Sequence, residues 1–292
     1  MDLAEEAHWP REVLDRDYNA RASVEPDVFE DALRRYRALS ETARERVAGV
    51  TDLVYDQFSS QTIDLYGIGG EPRPVFLFIH GGYWRALSKE DSAFMAPALA
   101  RQGIATAVVD YRLAPAVGLT EIVREVRAAA AFLHREGAAY GIDPSCIFVG
   151  GSSAGGHLTG TILSGGWHDD FGVPGDLVKG AFPVSGLFHL APIARSFVQE
   201  WISLSEEEVT RLSPAENLPA VGCPMVVAYA EGEPAGFARQ SETYHGLWQE
   251  KGFDGSLLAI PGRNHFDVIL DLADEKSVLF ERLVGMIRDG AA

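Results

Sequence analysis

The sequence predicts an α/β protein: a mostly parallel central sheet flanked by helices, in a single domain spanning residues 1–292. Three observations predict it. Short apolar runs at 74–79, 104–110, 146–149, 178–184, 225–230 and 256–260 read as strands, the more continuous of them buried on both faces. Longer stretches with helical spacing alternate with these runs, which is the pattern of strands joined by helical crossovers. Glycine-rich or histidine-bearing motifs follow directly on several of the runs, at the carboxyl ends of strands where parallel sheets place their active sites.

Residues 1–26 are polar and read as irregular, with Pro10 and Pro26 as breakers. From Asp27 to Val47 the spacing of Val28, Leu33, Tyr36 and Leu39 is helical, and Thr42-x-x-Glu45 resembles a capping box that restarts a second helix. This N-terminal helical segment, residues 1–50, is expected to pack across the active-site face or the domain edge. Thr51–Ser59 and Thr62–Gly67 alternate as two strands around a Ser59-Ser60 turn. Helices are predicted over Asp91–Gln102 and over Thr120–Glu136, the latter with Thr120 as N-cap and Gly137 near its end. Residues 187–223 are too long for an ordinary connection and read as a cap insertion. They contain Ser205–Leu212, where Ser205-x-x-Glu208 fits a capping box. Gly236–Lys251 and Phe266–Arg288 read as the last two helices.

A formal charge of −17 argues against nucleic acid or an anionic membrane as partner, because such surfaces need clustered Lys and Arg. The start M-D-L-A-E-E-A-H-W-P is acidic and lacks an apolar core, so no signal peptide is expected. No apolar run approaches a membrane span. A cytoplasmic protein acting on a small molecule is the expectation. The two cysteines, Cys146 and Cys223, abut apolar strands and read as core thiols.

The chain turns on Cys146 to Leu158, C-I-F-V-G-G-S-S-A-G-G-H-L. An apolar strand is followed by Gly151-Ser152-Ser153-Ala154-Gly155 and then by a small-residue helix. Small residues two before and two after Ser153 let strand and helix pass closely around a sharply turned, exposed nucleophile. The helix start points free N–H groups at the same place. By itself G-x-S-x-G is equally a Gly/Ser turn, so a base, an acid and an oxyanion hole must come from elsewhere.

His80-Gly81-Gly82-Tyr83-Trp84 follows the 74–79 strand. Consecutive glycines there free backbone N–H groups, and an oxyanion hole needs donors fixed where charge develops. Gly81, Gly82 or Tyr83, together with Ala154, would supply them. His80 reads as a loop-holding residue. His157, one turn beyond Ser153, faces back toward it and reads either as a pocket residue or as a satisfied core histidine. Of the eight histidines, His265 alone combines a late position with a strand-end loop, in P-G-R-N-H-F-D. It completes the chain order Ser, acid, His. The acid belongs after the 225–230 strand, where Glu231 and Glu233 both stand. No metal-ligand spacing is present, and no cofactor is called for.

H-G-G-Y-W, V-D-Y-R-L-A-P at 109–115 and G-S-S-A-G-G-H-L at 151–158 resemble the α/β-hydrolase fold, on the side of the hormone-sensitive-lipase-like esterases. V-S-G-L-F at 184–188 running to L-S-P at 212–214, F-A-R-Q-S at 237–241, H-F-D at 265–267 and Tyr18-Asn19 are similar, more narrowly, to kynurenine formamidases of the serine-hydrolase type. The resemblance spans nearly the whole chain. It implies Ser153 as nucleophile, His265 as base, and an acid at the position of Glu233, where the family has Asp; Glu231 is the rival. The family also tends to have an Asp soon after V-S-G-x-x, where this chain has His189. The implied reaction is hydrolysis of N-formyl-L-kynurenine or another aryl formamide through a formyl-enzyme. Tyr83, Trp84, His157, Phe188 and Trp201 are candidate substrate contacts, and Arg112 or Arg195 would meet a substrate carboxylate. The rival readings are a short-acyl carboxylesterase of the same fold and a non-catalytic binding protein, since a fold does not determine its function.

Overall fold

The computed structural model describes residues 3–291. Its strands are β1 (Gly49–Asp56), β2 (Gln61–Tyr66), β3 (Arg73–Ile79), β4 (Ala105–Val109), β5 (Ile142–Ser152), β6 (Val178–Val184), β7 (Met225–Ala230) and β8 (Gly255–Ile260). They form one sheet in the order β1-β2-β4-β3-β5-β6-β7-β8. β1 pairs with β2 and β2 with β4 antiparallel; the remaining pairs are parallel. This is the mostly parallel, helix-flanked sheet the apolar runs predict.

Period-two alternation divides the core into two layers. Val75, Leu77 and Ile79 of β3 face one layer, with helices Leu119–Glu136 and Ala154–Leu163. Phe76 and Phe78 face the other, which continues through Phe148 and Phe182 to helix Val278–Gly290. Phe76, Phe148 and Phe182 are fully buried, each worth roughly 1.5–3 kcal/mol of burial. Both cysteines are free, and burial pushes the Cys223 thiol up to about 12. Among the described residues no helix is long and apolar enough to cross a membrane.

Several local expectations are corrected. Of the stretch 1–26, residues 1 and 2 lie outside the described residues and the rest is not irregular: Leu3–Glu6 and Arg11–Tyr18 are helices, and Pro10 and Pro26 start helices instead of breaking them. Pro26–Arg46 is one continuous helix, with the Thr42 hydroxyl bonded to the Ala38 carbonyl inside it. The helix expected from Asp91 begins at Ala96, because Pro97 is tolerated only in a first turn. Gly118, not Thr120, occupies the N-cap of Leu119–Glu136, and Thr120 Oγ1 donates to Glu208. The closing helix is split into a 3₁₀ segment, Val268–Ala273, and Val278–Gly290, which Ser277 caps by accepting from the Phe280 N–H. The Ser205–Glu208 capping box is present as expected.

Candidate active site

β5 ends at Ser152, and the chain turns through Ser153, with φ 58° and ψ −117°, into helix Ala154–Leu163. A non-glycine residue in that region is strained and is held only by its surroundings. Here the Ser153 N–H donates to the Val184 carbonyl at 2.8 Å, and the Ser153 carbonyl accepts from His157 at 3.0 Å. The flanking glycines are steric requirements. A Cβ on Gly155 would lie 2.0 Å from the Ile79 carbonyl oxygen, and one on Gly151 would lie 2.5 Å from it.

The loop after β3 lies against this turn. A Cβ on Gly81 would stand 2.8 Å from the Ser152 carbonyl oxygen and 3.3 Å from Ser153 Cβ. Gly82 takes φ +93°, and Tyr83 and Trp84 are also left-handed, at 50° and 59°. Among the described residues, the N–H groups of Gly81, Gly82, Tyr83 and Ala154 donate to no backbone carbonyl. Tyr111, from the V-D-Y-R stretch, fixes the loop by donating its hydroxyl to the His80 carbonyl at 3.0 Å. Its ring stacks on His80 at 4.2 Å. Burial pushes His80 down to about 4, so the ring is neutral at pH 7, and its Nδ1–H serves the Gly81 carbonyl at 3.0 Å.

His265 stands on the loop after β8. Asn264 organises that loop: its side-chain oxygen accepts from the Phe266 and Asp267 N–H groups, and its own N–H donates to Asp267 Oδ1. His265 Nδ1 meets Glu233 Oε2 at 2.6 Å. The Glu233 side chain is fully buried, and its other oxygen accepts from the Ala230 N–H at 3.2 Å. Glu231 is exposed. Its backbone N–H bonds to the Ile260 carbonyl, so its place in the chain is fixed while its side chain points away into solvent. Of the two candidate acids, the structure pairs Glu233 with the histidine.

Ser153, His265, Gly81, Gly82 and Tyr83 share a cavity of about 290 Å³. Of the expected substrate contacts, Tyr83 and Trp201 line it, and Phe197 joins them in a cluster of edge-packed rings. Trp84, His157 and Phe188 do not. Trp84 Nε1–H donates to His157 Nδ1 at 3.3 Å, and His157 Nε2–H donates to the Leu212 carbonyl at 2.9 Å, so both ring nitrogens are occupied in the core. Phe188 is buried and stacks on Tyr244 at 4.2 Å. Arg112 is held by Glu121 and Glu125, and Arg195 faces Glu206 on the surface, so neither reaches the cavity.

Sequence reasoning missed the N-terminal wall. Asn19, Arg21, Phe29, Leu33 and Tyr36 line the cavity, from a segment placed only as lying over the face or the edge. The signal available was Tyr18-Asn19. Tyr18 is buried, its hydroxyl donates to Glu6 and accepts from Gln240 Nε2, and Arg239 bonds both Glu6 and Asp17. The F-A-R-Q-S stretch therefore docks the segment that forms this wall. Its Phe237 also packs on His265, with ring centroids 4.2 Å apart. His189, at the departure from the family pattern, is engaged by Glu216 at 2.7 Å.

A strained serine at the end of a central parallel strand, followed by a helix and faced by a Gly-Gly loop, defines the α/β-hydrolase class. The BD-FAE family model matches residues 63–169. A Pyrobaculum calidifontis esterase superposes with a TM-score of 0.72 at 21% identity, over 96% of this chain and 97% of that one. A Silicibacter sp. TM1040 structure provisionally assigned as a thioesterase gives 0.79 at 28% identity, over 94% and 98%. The kynurenine formamidase of Salmo salar is 31% identical over 269 residues, covering 89% of this chain and 90% of its own length. The chain belongs to the kynurenine formamidase family and is a hydrolase.

Proposed function

We propose that the chain hydrolyses N-formyl-L-kynurenine or a closely related aryl formamide through a formyl-enzyme, with Ser153, His265 and Glu233 as its triad. The observation that carries this reading is the 2.6 Å contact between His265 and a fully buried Glu233, on the cavity that also holds Ser153. His265 Nε2 takes the Ser153 proton as Oγ attacks the formyl carbon. Negative charge forms on the formyl oxygen, where the N–H groups of the 81–83 loop and Ala154 receive it. Collapse breaks the C–N bond, and the imidazolium gives its proton to the departing arylamine. Water then attacks the formyl ester, its proton passing to His265, and formate leaves as the proton returns to Ser153. Glu233 holds the imidazole in the tautomer that presents Nε2 as acceptor, and it stabilises the imidazolium.

The test is turnover of N-formyl-L-kynurenine by the wild type and by Ser153→Ala, followed by loss of substrate absorbance. Turnover that collapses in the variant supports both substrate and nucleophile. Ser153-dependent cleavage of simple aryl esters with none of the formamide would leave a short-acyl carboxylesterase. Failure to react with a fluorophosphonate probe would leave a binding protein.

A further inference from the structure

We infer that Arg85 and Arg21 select substrates carrying a carboxylate on the leaving-group side of the acyl bond. This deepens the reading above and rests on it. Besides the two histidines, the titratable acids and bases that line the cavity include Asp91, Arg21 and Arg85. Asp91 is already engaged, accepting from Arg37 Nε at 2.8 Å and from Ser88 Oγ at 3.2 Å. Among the described residues neither Arg21 nor Arg85 meets a carboxylate, in a chain with 42 acidic and 25 basic residues. The unneutralised charge on the cavity is therefore positive, although the protein as a whole is strongly negative.

Each guanidinium sits over an aromatic ring. Arg85 Cζ lies 4.0 Å from the Trp201 ring centroid, and Arg21 Cζ lies 4.6 Å from that of Phe29. A cation over a ring face is held there electrostatically while its N–H groups stay available for a planar anion. Arg21 spends one weak contact on the Val24 carbonyl, at 3.3 Å. Trp201 is itself anchored, donating Nε1–H to the Tyr83 carbonyl at 3.1 Å, and the Arg85 N–H donates to the Gly82 carbonyl at 3.0 Å. The Arg85 platform is thus built on the loop that faces Ser153. Tyr83, Phe197 and Trp201 line the same cavity as a cluster of edge-packed rings and suit an aryl ring. The geometry fits a substrate with its acyl group at Ser153, its ring on these aromatics and a carboxylate at the mouth.

The experiment compares wild type, Arg85→Gln, Arg21→Gln, the double variant and Arg85→Lys on two substrate pairs. One pair is N-formyl-L-kynurenine and formanilide; the other is 3-(4-acetoxyphenyl)propanoate and phenyl acetate. The expected result is a wild-type preference for the carboxylate-bearing member. That preference should fall roughly tenfold or more in the double variant, through KM and not kcat, with Arg85→Lys retaining part of it. Added salt should erode the wild-type preference as well. An unchanged preference in the double variant, or no preference in the wild type, would overturn the inference. If neither formamide is cleaved, the formamidase reading fails, while the ester pair still reports on the arginines.

Discussion

His157 gives a test of how the site is held together. It is fully buried, accepts from Trp84 and donates to the Leu212 carbonyl, so it ties the loop after β3 to the 187–223 segment through the helix that follows Ser153. Burial lowers it from 6.5 to about 4. For a base depressed on folding, the stability it contributes is fully present above the unfolded-state value and is lost as pH falls through the window from 6.5 to 4, because the unfolded chain takes up the proton first. Between pH 7.5 and pH 5 this one group costs about 2 kcal/mol, and His80, lowered to about 4 in the same way, costs about as much again. His157→Leu removes that titration but leaves the Trp84 N–H and the Leu212 carbonyl buried without partners, at about 1–3 kcal/mol each. Urea denaturation at both pH values reads both effects. The variant should be less stable at pH 7.5 by about 2–6 kcal/mol yet lose about 2 kcal/mol less than the wild type on acidification. An equal loss in both proteins would refute a neutral, buried His157.

Glu233→Gln should lower kcat by on the order of 10³–10⁴-fold while Glu231→Gln changes it little, since only Glu233 touches His265; steady-state kinetics on one substrate decides. Gly155→Ala should cost more than about 3 kcal/mol, because its Cβ meets a backbone oxygen at 2.0 Å that cannot move without β3. Gly246→Ala, in a helix with nothing within 4 Å of the new methyl, should stabilise by roughly 0.5–1 kcal/mol in the same denaturation assay. Arg239→Ala leaves the buried Glu6 carboxylate without its cation and Asp17 with Arg16 alone, so tryptic cleavage at Arg11 and Arg16 should accelerate and KM should rise as the N-terminal wall loosens.

What the sequence made legible was local. β6 and β7 fall at their expected bounds because apolar runs flanked by polar residues specify buried strands without help. The serine turn and the Gly-Gly loop were legible because their backbone geometry admits so few residue types. The split of the last helix was present in outline, since Ser277 before Val278-Leu279-Phe280 is an N-cap signal, but the apolar periodicity of Phe266–Ile269 masked it. Glu233 over Glu231 was undecidable from spacing. The choice depends on the turn Gly232 makes against the Arg263 carbonyl, where its N–H donates at 2.9 Å. Arg112 and Arg195 do not reach the cavity for a reason spacing does not show: Arg112 is held by Glu121 and Glu125 of helix Leu119–Glu136, and Arg195 faces Glu206.

The F-A-R-Q-S stretch is one of those that resemble kynurenine formamidases most narrowly, yet Arg239 and Gln240 do not line the cavity. Their partners are Glu6, Asp17, Tyr18 and His189. Tyr18 is followed at once by Asn19, Ala20 and Arg21, which do line it, and the Tyr83 hydroxyl bonds the Tyr18 carbonyl. Under the proposed function, the chemistry and the selectivity therefore have separate supports. Strand ends position the serine, histidine and carboxylate, and any enzyme of this class has an equivalent of that frame. The N-terminal wall of the cavity is brought in from a separate segment and locked by ion pairs from Glu6 and Asp17 to Arg239, more than 200 residues away in sequence. A substitution in that cluster acts on the substrate through the wall, and so should move KM before it moves kcat.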